Sequence, residues 1–189
     1  MREVIENYFE KTKKIIKTPK EFFKKEKPAK NFKDDLKYLL FLSFLSSAIL
    51  LIFDFVVGFI IPSLGGTFQG QLNFTVIVYA FGVSIMGAFL STLIFGVVLH
   101  IIAKIFKGKG SFKTTLSLTI YASSANLLLG WIPFVGVFAS LYTLYILSLG
   151  GQSYHDMTRR RAIIAFIVVP IILTIVLGIG GAVTAPVEG

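Results

Sequence analysis

Asp54 is the residue in this chain with the most chemistry to offer. It stands in the run Leu50-Leu51-Ile52-Phe53-Asp54-Phe55-Val56-Val57. A carboxylate in such surroundings is costly to ionise, so by default it marks a proton or cation site, or a hydrogen bond that holds helices together. His100 lies one helical turn before Lys104. The pair suits a proton relay, or two side chains snorkelling to an interface. Tyr121 and Asn126 add polar groups to a later apolar block. Other groupings fail on inspection. Lys107-Gly108-Lys109-Gly110-Ser111 has phosphate-loop residues without the glycine spacing or the strand–loop–helix setting. His155-Asp156 beside Ser153 offers hydrolase residue types, but neighbours in one short loop do not make a triad, and nothing supplies an oxyanion hole. Two histidines and no cysteine give no transition-metal set. The residues predict a protein that is not an enzyme and carries no cofactor or metal.

The elements that must position these groups are five long apolar blocks: 38–61, 74–103, 114–129, 132–149 and 162–180. A bilayer core needs about 20 apolar residues in a helix. The 189 residues are 54% hydrophobic, with a mean hydropathy of +0.78, which is unlike a soluble domain. The predicted fold is all-α: an integral membrane bundle of five transmembrane helices. It comprises a cytoplasmic arm (1–37), a membrane domain (38–181) and a short external tail (182–189). The net charge of +9 would suggest nucleic acid in a soluble protein. Here the basic residues flank apolar blocks, so anionic lipid headgroups are the expected partners and nucleic acid is not. The first apolar block begins too late and runs too long for a cleavable signal peptide, and no lipidation motif is expected.

Charge sets the topology. Segment 1–37 carries 12 Lys and Arg, segment 62–73 none, 104–113 four lysines, the turn Gly130-Trp131 none, and 150–161 the run Arg159, Arg160 and Arg161. Basic loops stay cytoplasmic. This alternation predicts a cytoplasmic N-terminus, five crossings and an outside C-terminus, and the short termini fit a prokaryotic cell membrane. The third and fourth blocks are short, about 24–27 Å at helical rise, and Gly130 and Pro133 frame the turn between them. A re-entrant hairpin satisfies the same charges, so both versions stand.

Within the arm, Val4, Ile5, Tyr8, Phe9, Ile15 and Ile16 recur at helical spacing among Lys and Glu, which predicts an amphipathic helix. Thr18-Pro19-Lys20-Glu21 predicts a capping box opening a second short helix, with Phe22 and Phe23 buried and Pro28 ending it. Lys13, Lys14 and Lys17, with Arg159, Arg160 and Arg161, are the candidate contacts for anionic lipid or a partner. The arm also carries seven acidic residues, so the polybasic signal is modest, and an ordinary positive-inside flank is the alternative. In the second block Ser84, Ala88, Thr92 and Gly96 recur every four residues. This small-residue face suits close helix packing, and a homo-oligomer or a membrane-protein partner is the expected company.

The order of these motifs resembles the Ypt-interacting protein (Yip) family of five-span membrane proteins, including its prokaryotic branch. The resemblance is carried by Thr18-Pro19-Lys20-Glu21-Phe22-Phe23 before the first span, Gly108-Lys109-Gly110-Ser111-Phe112 before the third, and then Tyr121. It continues through Trp131-Ile132-Pro133-Phe134-Val135-Gly136 and Leu149-Gly150-Gly151-Gln152-Ser153-Tyr154. Relatives carry a proline shortly after the third-span tyrosine, where Ala122-Ser123-Ser124-Ala125 stands here, and the eukaryotic Asp-Leu-x-Gly-Pro signature is absent. Rab-type GTPase binding is therefore not carried over. For the prokaryotic branch the resemblance implies membrane residence and oligomerisation but no reaction; together with the basic arm and the small-residue faces it leads to the expectation of a scaffold that organises lipids or recruits partners. The competing expectation is a small-solute or ion permease built on Asp54 and the polar faces of Ser47, Thr92, Tyr121 and Asn126.

Overall fold

A computed structural model describes residues 2–26, 31–60 and 74–184, with only the backbone described at 2, 57–60 and 177–184. Pro28, the uncharged segment 62–73 and residues 185–189 lie outside the described residues. Everything described is helix or short turn. The helices are α1 (Arg2–Lys17), α2 (Pro19–Lys25), α3 (Phe32–Ile60), α4 (Phe74–Ile105), α5 (Phe112–Ala122), α6 (Ser124–Leu129), α7 (Val135–Tyr154), α8 (Arg159–Ile163) and α9 (Val169–Thr184). A five-residue π-helical stretch, Ile164–Val168, joins α8 to α9. Its cause is Pro170, which lacks an N–H and whose ring would press on the carbonyl of Phe166 in a regular helix; one wide turn absorbs both faults.

Among the described residues, three helices are long and apolar enough to cross a membrane: Phe32–Val56, Phe74–Ile105 and Val135–Tyr154. Their outer faces are apolar and open. On α4, Val78, Val83, Met86, Leu90, Ile94 and Ile101 are exposed, and on α7 so are Val137, Phe138 and Leu141. In water such a surface would aggregate; in lipid it is the expected solvent-facing surface. The first span was expected from residue 38, but α3 begins six residues earlier, with Asp34 and Asp35 in its first turn, where carboxylates complement the helix dipole.

The third block, expected as a span over 114–129, is divided between α5 and α6 at Ser123. Eleven residues of α5 rise only about 16 Å. Instead of facing lipid, α5 is the central helix, and every residue from Thr114 to Ala122 is buried. It packs against α4, α7 and α3. Two of its hydroxyls bond back along the helix: Thr119 Oγ1 donates to the Thr115 carbonyl at 2.9 Å and Thr115 Oγ1 to the Ser111 carbonyl at 3.3 Å. The small residues let neighbouring helices close on it. A Cβ at Gly96 would stand 2.6 Å from Leu116 Cδ2 and 3.3 Å from Thr119 Oγ1, so a larger residue there would require the Leu116 side chain to move.

α1 and α2 fold back along the bundle. Ile15 is fully buried, and Phe22 and Phe23 pack edge-on against Tyr121 and Tyr154 at centroid distances of 5.3 and 5.1 Å. The expected capping box does not form. Pro19 does occupy the first turn, but Thr18 Oγ1 turns back to donate to the Lys14 carbonyl at 3.2 Å, and its side chain caps nothing. The aromatic pair holds α2 in place, so the cap is dispensable.

Candidate functional site

The densest polar cluster lies where the arm meets the bundle, and its centre is Asp35. The carboxylate is 4% exposed. The α3 helix places it one turn before Tyr38, and the central α5 helix supplies its donors. Ser117 Oγ donates to Oδ2 at 2.6 Å, and the Tyr121 hydroxyl donates to Oδ1. The charge partner comes from the arm: Lys11 Nζ is 3.7 Å from Oδ1 and donates to the Tyr121 hydroxyl at 3.1 Å. That ammonium also lies over the Tyr121 and Tyr38 rings, 4.2 and 5.1 Å from their centroids. One turn on, the Tyr38 hydroxyl bridges Thr12 Oγ1 of α1 (2.8 Å) and Ser124 Oγ of α6 (3.0 Å). Tyr142 of α7 donates to the Ile16 carbonyl at 2.6 Å. Five helices thus meet at one cluster, which fixes the arm by polar contacts rather than by grease alone. An ion pair this dry contributes little net stability, but removing one member strands the other and costs about 3–5 kcal/mol.

A second cluster lies at the loop between α4 and α5. Thr115 Oγ1 is 2.7 Å from His100 Nδ1 and 3.2 Å from His155 Nε2, so one hydroxyl joins two imidazoles. His155 is fully buried, and its Nδ1 has no hydrogen-bond partner. The loop closes over it through glycines. A Cβ at Gly110 would stand 2.6 Å from that nitrogen, and one at Gly108 3.1 Å. The chain enters this loop through Lys107 in the left-handed region (φ 60°). Gly108 N donates to the Ala103 carbonyl and Lys107 N to the Lys104 carbonyl, which is a Schellman ending. Lys109 N then donates to the His155 carbonyl at 2.9 Å, and Lys104 Nζ to the Gly110 carbonyl at 3.0 Å. Burial pushes the His155 pKa down to about 4, helped by the positive charges of His100 and Lys104.

The residues singled out from the sequence fall in different places. Tyr121 belongs to the arm cluster and His100 to the imidazole pair. Asp54 lines a cavity of about 140 Å³ between α3 and α4, beside Ser47 and Ser84. Ser84 Oγ donates to Ser47 Oγ at 2.9 Å. Asn126 accepts from Ser140 Oγ at 2.9 Å, at the edge of an apolar groove of about 480 Å³ between α4, α7 and α9. Thr92 is buried and donates to the Ala88 carbonyl. The polar residues invoked for a permease each have a near partner: Ser47 with Ser84, Thr92 with Ala88, Tyr121 with Asp35 and Asn126 with Ser140. The stripe Ser84, Ala88, Thr92 and Gly96 packs inside the chain, with Ser84 on α3 and Gly96 on α5. Lys13, Lys14, Lys17, Arg159, Arg160 and Arg161 are all exposed. Asp35 and Lys11 were not legible as a site. Asp35 reads as one more flanking charge, and only the fold brings it to residues 82 and 86 positions further along.

The Yip1 domain family model matches residues 13–180. No curated protein and no solved structure matches the chain significantly.

Two outcomes test these clusters. Asp35→Ala strands the Lys11 ammonium and should release the arm. In the full chain in detergent, trypsin cleavage at Lys13, Lys14 and Lys17 should rise at least about tenfold, the rate equivalent of about 1.4 kcal/mol. The double variant Lys11→Met/Asp35→Leu should restore part of the protection. For His155, the folded form resists protonation while the unfolded chain accepts a proton near pH 6.5. Its contribution to stability is therefore full above pH 6.5 and is lost as pH falls from 6.5 towards 4. Thermal unfolding midpoints should drop across that window, and the drop between pH 6.5 and 5 should shrink in His155→Asn.

Proposed function

Since the chain belongs to the Yip1 domain family, and is a membrane protein of that type, we propose that it works as a non-enzymatic scaffold that organises anionic lipid or recruits a membrane-protein partner at the cytoplasmic face. The observation that carries this reading is the docked arm. Lys11, Thr12 and Ile15 of α1 are turned into the bundle, while Lys13, Lys14 and Lys17 remain exposed. A helix held this way presents a fixed row of cations, and fixed charges attract anionic headgroups or acidic partners without an ordering penalty at the moment of binding. Arg159, Arg160 and Arg161, exposed in the first turn of α8, are a second such row. The scaffold is a homo-oligomer or part of a complex with another membrane protein. Asp54 serves on this reading to hold α3 against α4.

The architecture we propose is the five-span one, in a prokaryotic cell membrane, with the arm inside and the C-terminus outside. Three long helices cross. α5–α6 and the continuous helix from Arg159 to Thr184 supply the other two crossings, with the basic segments 104–113 and 150–161 sharing the arm's side.

The full-length protein and its Lys13→Glu/Lys14→Glu/Lys17→Glu variant should be purified from the same membranes in mild detergent and their bound lipids and proteins quantified. The wild type should retain anionic lipid or one stoichiometric protein, and the variant several-fold less; identical content in the two would refute the scaffold. Topology is accessible because the chain has no cysteine. An impermeant maleimide applied to intact cells should label Ser63→Cys and Phe134→Cys but not Lys109→Cys. Protection of Phe134→Cys would replace the third and fourth crossings with a re-entrant hairpin.

A further inference from the structure

Between α1 and α2, on the flank of the arm away from its apolar face, lies a cleft of about 550 Å³, within the range of small-molecule sites. Its charged lining is balanced: Glu10, Lys11 and Lys14 from α1, and Glu21, Lys25 and Glu26 from the α2 side, with the Phe22 ring as an apolar wall. Three of these are already engaged. Lys14 Nζ lies 3.4 Å from Glu10, and Lys11 is held by Asp35 and Tyr121 at the floor. α2 therefore presents both signs to an occupant, Lys25 one turn after Glu21 on the same helix face.

That balance selects the ligand. An anion alone would meet three carboxylates, and a cation alone three ammonium groups. A molecule with a phosphate beside an ammonium can satisfy both sets. The arm also fixes the depth at which the cleft opens. Val4, Ile5 and Phe9 are exposed on the apolar arc of α1, and Phe9 stacks edge-on against Phe41 near the start of the apolar run of α3, 5.4 Å between centroids. An amphipathic helix with such a flank lies in the bilayer interface, and on that placement the cleft, on the helix's polar side, faces the headgroup layer. We infer that this cleft is a headgroup site for a zwitterionic, phosphoethanolamine-type phospholipid, its phosphate drawn to the lysines and its ammonium to the glutamates. The inference rests on the proposed reading that the arm acts at the membrane's cytoplasmic face, but not on the anionic-lipid contacts of Lys13 and Lys17, which lie outside the cleft.

The test is native mass spectrometry of the full-length protein in detergent, titrated separately with phosphatidylethanolamine and phosphatidylglycerol of identical short chains, and with glycerophosphoethanolamine. One phosphatidylethanolamine should bind at least about fivefold more tightly than phosphatidylglycerol, and glycerophosphoethanolamine should compete only weakly. Glu21→Lys/Glu26→Lys, both on the exposed side of α2, should reverse the preference towards phosphatidylglycerol while the thermal unfolding midpoint stays near that of the wild type. Equal affinity for the two lipids, or an unchanged preference in the double variant, would overturn the site. Glycerophosphoethanolamine binding as tightly as the lipid would overturn the lipid assignment. Lys13→Glu/Lys17→Glu should leave the preference intact, so failure of the scaffold reading and failure of this site give different results.

Discussion

A carboxylate buried at a helix start must be satisfied, and in this chain the requirement organises the molecule. Asp35 needs two donors and a cation. Ser117 and Tyr121 of α5 provide the donors, and Lys11 of the arm provides the charge. Meeting that requirement sets the register of α3 against α5 and brings α1 down onto both. The same register stacks Tyr38 beside Tyr121, 6.2 Å between centroids, and lets its hydroxyl reach α1 and α6 together. Apolar packing alone would leave α1 free to slide along the bundle. Directional bonds to a buried charge do not.

Much of the architecture follows from periodicity and charge. The long apolar runs become α3, α4 and α7; of the apolar positions of α1, Tyr8, Ile15 and Ile16 pack on the core, while Val4, Ile5 and Phe9 stay exposed. Phe22 and Phe23 are buried as their spacing predicts, against the bundle and not in lipid. The stripe from Ser84 to Gly96 is a packing face, turned inward within one chain. The third block was harder to read. Thr114, Thr115, Ser117 and Thr119 lower its hydropathy, yet composition does not tell whether hydroxyls face water, lipid or other helices. Their burial follows from α5 being enclosed by neighbours on every side, which is a property of the whole assembly.

The site was less legible than the fold because its two charges are unremarkable where they stand. Asp35 lies in the run Lys33-Asp34-Asp35-Leu36-Lys37, and Lys11 is one of 12 basic residues in the arm. Asp34 is exposed and pairs locally with Lys37 at 3.3 Å, whereas its neighbour Asp35 is buried. The 100° step between adjacent helix positions separates them, one facing water and one facing α5. Asp54 drew attention for the opposite reason, since a lone carboxylate among phenylalanines is visible in any reading of the sequence. The buried imidazole shows the same limit. His155 next to Asp156 invites a catalytic reading, but its partners are Thr115 and the two loop glycines, and the glycines are there because nothing larger fits over the ring.

These features are unevenly distributed along the bundle. The Asp35 cluster, the His100–Thr115–His155 pair, the basic segments and the charged cleft all lie towards the ends of α3, α4, α5 and α7 that meet the arm. Among the described residues of the other half, Ser84 bonds Ser47, and the Phe53 and Trp131 rings lie 4.9 Å apart in a tilted apolar contact. Polar networks are expensive to maintain beside lipid unless every group is satisfied. Among the described residues, their concentration at the end that meets the arm adds directional bonds to its apolar packing. On the scaffold reading proposed above, this is the end that would hold a partner, because Lys13, Lys14 and Lys17 stand exposed beside it.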